Sequence, residues 1–79
     1  MSWKLRMDVV IEAAFDALPD DVRERLALAL ADACSDPYAS TTPFGEDDGV
    51  MRLLVLPDVM AVLLVSSALG TVRVVQIDH

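Results

Sequence analysis

The sequence predicts an α+β fold of order β-α-α-β-β-β, a helical hairpin packed on a mainly antiparallel four-stranded sheet. Three observations predict it. The hydrophobic period switches from two to about 3.6 residues at Asp8. Pro19 divides the helical stretch in two, and strand patterning returns at Val50 and holds to Asp78.

Trp3 to Arg6 alternates, with Trp3 and Leu5 on one side and Lys4 and Arg6 on the other, as in a short half-buried strand. From Asp8 onward Val10, Ile11, Ala14, Phe15 and Leu18 fall on one helical stripe. Asp8 suits the N-cap, where a carboxylate accepts from the free N–H groups of the first turn. The helix is expected to stop at Leu18-Pro19, and Pro19 to open a second helix in which Asp20 and Asp21 meet the positive end of the dipole. Val22, Leu26, Ala29, Leu30 and Ala33 form the second apolar stripe. Helices joined by almost no linker fold back as a hairpin.

Ser35-Asp36-Pro37 ends that helix, and residues 35–49 hold the turn formers Pro37, Pro43, Gly45 and Gly49. Glu46-Asp47-Asp48 reads as a solvated loop tip and Phe44 as a loop anchor. Val50 to Leu56, Val59 to Val65 and Thr71 to Asp78 are expected strands, separated by turns at Pro57-Asp58 and Ser66 to Gly70. The run from Val59 to Val65 has no polar position, so it must be central and covered on both faces or nearly so. The expected core is Trp3, Leu5, Ile11, Phe15, Leu18, Leu26, Leu30 and Leu63.

With 79 residues the chain is expected to be one domain, residues 1–79, near the lower limit for folding without metals or disulfides. Its 54% hydrophobic content is mostly Ala, Val and Leu, with Trp3, Phe15, Tyr38 and Phe44 the only aromatics. A core of small side chains is thin, which points to further burial in an oligomer or complex. The single cysteine, Cys34, allows no internal disulfide and fits a reducing compartment, where it serves packing. Asp8, Glu12 and Asp16 interrupt any signal-peptide pattern, and the uncharged run from Val59 to Val72 is too short to span a membrane. The expectation is a cytoplasmic protein without a membrane contact. A net charge of −7 makes nucleic acid a poor default partner.

Four stretches in this order resemble the RelE/ParE toxin superfamily. They are Leu18-Pro19-Asp20-Asp21-Val22-Arg23, then Ala29-Leu30 with Asp36-Pro37, then Gly49-Val50-Met51-Arg52-Leu53, and finally Val75-Gln76-Ile77-Asp78-His79. The resemblance spans nearly the whole chain, and order and spacing carry it more than any one word. It implies the β-α-α-β-β-β fold and an antitoxin as partner. It also implies basic residues that orient ribosome-bound mRNA and stabilise charge at the scissile phosphate. Arg52 matches a basic strand position, whereas Leu54 stands where a second basic residue is frequent and Val59-Met60 where a Tyr-Arg pair often lies. Arg52, Arg73 and His79 are the remaining catalytic candidates. A guanidinium stays charged and makes a poor base, and His79 is the one side chain of a type that titrates near neutrality. The expectation therefore leans away from an enzyme.

No cofactor is expected. Asp78-His79 and Glu46-Asp47-Asp48 lack metal-ligand spacing, so no metal site is expected either. The stronger signal is apolar excess. With helices on one sheet face, the other should show some of Leu54, Leu56, Met60, Val62, Leu64, Val75 and Ile77, and Leu28 lies opposite the core stripe of the second helix. These are the expected partner-binding residues, unless the 35–49 segment folds across the face. The reading is a toxin-type component of a toxin–antitoxin pair, catalytically degenerate, that binds an antitoxin-like protein or itself. The alternatives are an active ribosome-dependent mRNA interferase, touching nucleic acid only through the ribosome, and a small dimeric accessory or regulatory protein that keeps only the fold. An operon neighbour with a DNA-binding half would mark the toxin–antitoxin pair.

Overall fold

A computed structural model describes residues 3–46 and 48–79 and lays two helices on one face of a five-stranded sheet. The elements run β1 (Lys4–Arg6), α1 (Val9–Asp16), α2 (Asp20–Ser35), β2 (Thr42–Pro43), β3 (Met51–Val55), β4 (Met60–Ser66) and β5 (Thr71–Asp78). The sheet order is β1-β5-β4-β3-β2, antiparallel except where β1 joins β5.

Asp8 caps α1 as its sequence position predicts, accepting from the Ile11 N–H at 2.8 Å. Pro19 sits one position earlier than expected: it is itself the N-cap of α2, and its carbonyl accepts from Arg23 N at 2.8 Å. Asp20 and Asp21 occupy the first turn beside the positive dipole end. The α2 stripe holds as read, with Val22, Leu26, Leu30 and Ala33 buried and Ala29 partly so.

The α1 stripe is narrower than expected. Ile11 and Phe15 lean on the core, and Leu18, just past the helix, is buried. Val10 is exposed, since an eight-residue helix leaves its first turn protruding from the domain. Ala14 also faces solvent. Trp3 is half-buried, and Leu5 is 38% exposed because β1 is a three-residue edge strand with a neighbour on one side alone.

The fifth strand, β2, is a departure from the four expected. Its two residues pair with β3 (Thr42↔Leu53, Pro43↔Arg52) inside the turn-rich segment. Two residues carry no readable period, and a proline is tolerated only at an edge. Both edges of the sheet are thus very short, which limits pairing with other chains.

The central position of β4 matches the expectation, but cover on both faces holds only in part: Ala61, Leu63 and Val65 are buried on the helix side and Val62 on the other, where Met60 is exposed. Register sorts the two faces. Leu5↔Val72↔Val65, Arg52↔Leu63↔Val74 and Leu54↔Ala61↔Ile77 lie under the helices. Lys4↔Thr71↔Ser66, Arg6↔Arg73↔Leu64↔Met51 and Gln76↔Val62↔Leu53 lie on the opposite face, along with Asp78↔Met60↔Val55. A bulge between Val62 and Leu63 sets Val75 and Gln76 together against Val62.

Candidate functional site: the open sheet face

The segment after α2 stays on the helix side. Trp3 N donates to the Cys34 carbonyl at 2.8 Å, and the Trp3 and Tyr38 rings meet edge-to-face at 6.4 Å and 86°. Tyr38 OH donates to the Gly49 carbonyl at 3.1 Å. Gly49 has φ +75°, the left-handed region that favours glycine, and it lies directly against the Tyr38 ring. Among the described residues of the 35–49 segment, Tyr38 and Gly49 are thus held on the helix side rather than across the open face. Phe44 is exposed rather than an anchor, and Asp47 lies outside the described residues.

Arg52 is drawn into this same corner. It is 6% exposed. Its Nε donates to Thr41 Oγ1 and its Nη2 to the Thr41 carbonyl, each at 2.9 Å, with a longer contact to the Tyr38 carbonyl at 3.4 Å. Thr41 in turn donates its hydroxyl to the Pro37 carbonyl, and the guanidinium carbon lies 5.3 Å from the Tyr38 ring centroid. Arg52 is thus a buried bracket for the turn-rich segment rather than an exposed basic group on the strand.

Arg52 and Arg73 fall on opposite faces of the sheet, because Arg52 registers with Leu63 and Arg73 with Leu64. His79 lies at the far end of β5 in a shallow hollow with Asp58, Met60 and Asp78. The three catalytic candidates do not converge. Lys4, Arg6 and Arg73 do gather on the open face, at the corner where β1 meets β5.

The expected partner-binding residues also divide. Leu54 is 4% exposed within the core, and Leu56 and Ile77 pack against that core from the helix side. A one-residue offset in strand phase exchanges the two faces, and the bulge hides the phase of β5 from the sequence. Met60, Val62, Leu64 and Val75 do lie on the open face. Met51, Leu53 and Val55 join them there, three residues that the strand alternation of β3 reveals once its phase is known. Leu28 is 64% exposed on the helical layer, with the whole α/β sandwich between it and this face.

The open face is thus an apolar field over β3 and β4 with a cationic corner at β1 and β5. Val62, 4% exposed, is its buried centre; Met60 and Val75 are exposed flanks. At the corner Arg6, Arg73, Ser66 and Thr71, with Leu64 and Leu69, line a cavity of about 300 Å³. Cys34, partly buried in the last turn of α2, has its thiol pushed up in pKa by desolvation. Among the described residues no helix is long and apolar enough to cross a membrane.

The sequence matches no protein-family model and no curated protein. Its structure matches solved ones along its length. One is a chain of the RelBE2 toxin–antitoxin complex from Mycobacterium tuberculosis, at TM-score 0.84 and 14% identity, with 100% of this chain and 99% of that one covered. Another is the free E. coli toxin RelE carrying R81A/R83A, at TM-score 0.80 and 20% identity, with 98% of this chain and 82% of that one covered. The same E. coli toxin bound to an antitoxin RelB peptide matches at TM-score 0.81 and 21% identity over the same shares.

Proposed function

The chain has the RelE-toxin fold, and from this we propose that it is a toxin-type component of a toxin–antitoxin pair that acts by binding protein through its open sheet face rather than by cleaving RNA. One observation carries the reading. The open-face positions of β3 and β4 are Met51, Leu53, Val55, Met60, Val62, Leu64 and Ser66, none of them ionisable, and the cations of this face, Lys4, Arg6 and Arg73, stand apart at the β1–β5 corner. A nuclease needs side chains here that hold phosphate charge or move a proton. An apolar field with a buried centre instead suits a partner's apolar segment. The solved neighbours that contain antitoxin support an antitoxin-like protein as the class of partner.

Arg52 and Leu54, the strand positions where the resemblance places basic groups, are both buried on the helix side. Neither reaches an RNA laid on the open face. A net charge of −7 adds long-range repulsion from ribosomal phosphate.

The test is expression of the protein alone, with growth and mRNA 5′ ends followed, then co-expression with the product of the neighbouring gene. Unchanged mRNA ends with tight binding of that product support the reading. Growth arrest with new 5′ ends inside codons, abolished by Arg73→Ala, would restore the mRNA interferase. Arg73 is the informative position, because loss of Arg52 would act through the fold.

A further inference from the structure

Six bases serve 79 residues here, and three of them stand together. Arg6 and Arg73 are direct register partners on the open face, with Lys4 two residues away on the same side. Like charges facing one another across strands destabilise a sheet unless something neutralises them. Among the described residues the ion pairs use Arg23 and Arg25, and no carboxylate reaches Lys4, Arg6 or Arg73. The donors are also idle. Arg6 makes a single 3.4 Å contact to its neighbour's carbonyl out of the five N–H groups a guanidinium offers. Ser66 Oγ accepts from Leu69 N at 3.3 Å, which leaves its own proton free to donate.

We propose that the cavity bounded by Arg6, Ser66, Thr71 and Arg73 is a binding site for a phosphate monoester, a function independent of partner docking. Two guanidiniums and two hydroxyls offer more donors than the two oxygens of a carboxylate can use. A monoester presents three terminal oxygens and a charge of about −1.5 to −2 near neutral pH, which balances two arginines. The guanidinium fork matches that geometry pairwise. Leu64 and Leu69 complete the wall and would contact the carbon side of the ester. At about 300 Å³ the space admits a ligand of mononucleotide size at the lower end of small-molecule pockets. Within about a Debye length, roughly 8–10 Å, the positive corner attracts such an anion locally although the body as a whole is acidic.

The experiment is an NMR titration of the full chain, following backbone and arginine Nε–H signals near pH 7.5. The probes are inorganic phosphate, a nucleoside 5′-monophosphate, and a dinucleoside phosphodiester with no terminal phosphate. Saturable shifts confined to Arg6, Ser66, Thr71 and Arg73 are expected for the first two, with weak or no response to the diester. Arg73→Gln and Thr71→Val should each weaken binding, the former by roughly tenfold or more, while Arg23→Gln should not. Thermal melts establish that each variant is folded, and Thr71→Val stands in should an arginine variant fail. Shifts equal to those of sodium chloride at matched ionic strength would overturn the site. So would unchanged binding by folded Arg73→Gln. Equal affinity for the diester would reassign the corner to nucleic-acid backbone and defeat the monoester proposal.

Discussion

Arg52 and Thr41 are joined twice, through Thr41 Oγ1 and through its carbonyl, each at 2.9 Å from the guanidinium. The pair ties β3 to the segment that follows α2, at the edge where β2 supplies two residues of cover. A strand arginine that looks like an RNA contact is therefore a structural clamp.

Arg52→Met should cost about 2–4 kcal/mol, because it leaves a buried hydroxyl and carbonyl without their donor. Small domains hold roughly 5–10 kcal/mol in total, so the loss is large. Arg52→Lys should recover little of it, since an ammonium cannot span both acceptors in the fixed fork. Urea melts that place either variant within 0.5 kcal/mol of wild type would show the clamp to be dispensable.

Leu30→Ala should cost roughly 2–5 kcal/mol, the range for a buried leucine whose cavity does not collapse. Leu30 lies fully buried in the core cluster. Leu28→Ala, two residues away on the solvent side, should stay within about 0.5 kcal/mol. The contrast between the two in thermal melts tests the rotational phase of α2.

That phase was readable from the sequence because α2 repeats its apolar residues over sixteen positions. The Asp8 cap and the central place of β4 were readable for similar reasons: a capping side chain at a period change, and a run with no polar position. Val10 and Leu5 were misplaced because short elements bury only part of the stripe they carry. Arg52 was misplaced because its burial depends on Thr41 and Tyr38, eleven and fourteen residues earlier in a segment without period. The open face was legible as an apolar surplus but not as a residue set. Val62 and Leu54 look equivalent in sequence, yet they register with different partners and face opposite ways.

Cys34 should react slowly with iodoacetamide, because desolvation raises its thiol pKa and depletes the thiolate. The raised pKa favours the protonated form in the folded state. Its contribution to stability is therefore present below the ordinary thiol pKa and fades as pH rises through the folded value. Cys34→Ala should accordingly flatten the alkaline end of the stability profile. A rate of alkylation equal to that of a free thiol at the same pH would count against the burial.

Arg6 and Arg73 repel across the β1–β5 pairing, so Arg73→Gln should stabilise the phosphate-free protein by about 0.5 kcal/mol at low salt. The gain should vanish near 1 M salt, where the Debye length is about 3 Å. Phosphate should do the same for wild type by binding the folded form. A loss of stability in Arg73→Gln at low salt would mean that the arginine makes a favourable contact which its register conceals.

Docking on the open face is tested by a charge placed where the fold tolerates it. Met60 is a partly exposed flank of the apolar field, registered between Val55 and Asp78. Met60→Asp should leave stability within about 0.5–1 kcal/mol, since the new carboxylate keeps access to water and its neighbours Asp58 and Asp78 oppose it across a solvated hollow. Burying that carboxylate under a partner is another matter, because an unpaired charge in a dry interface loses its hydration. Affinity for the neighbouring gene's product should fall by at least roughly tenfold, measured calorimetrically. If the partner is a second copy, sedimentation should instead show the variant as monomer. Val62→Asp cannot serve here, because Val62 is already buried and the charge would damage the fold itself. Leu28→Asp is the matched control, an exposed leucine on the helical layer that the open-face reading leaves out of the interface. If Leu28→Asp breaks the complex while Met60→Asp binds as wild type, the partner lies on the helices and the open face has another use.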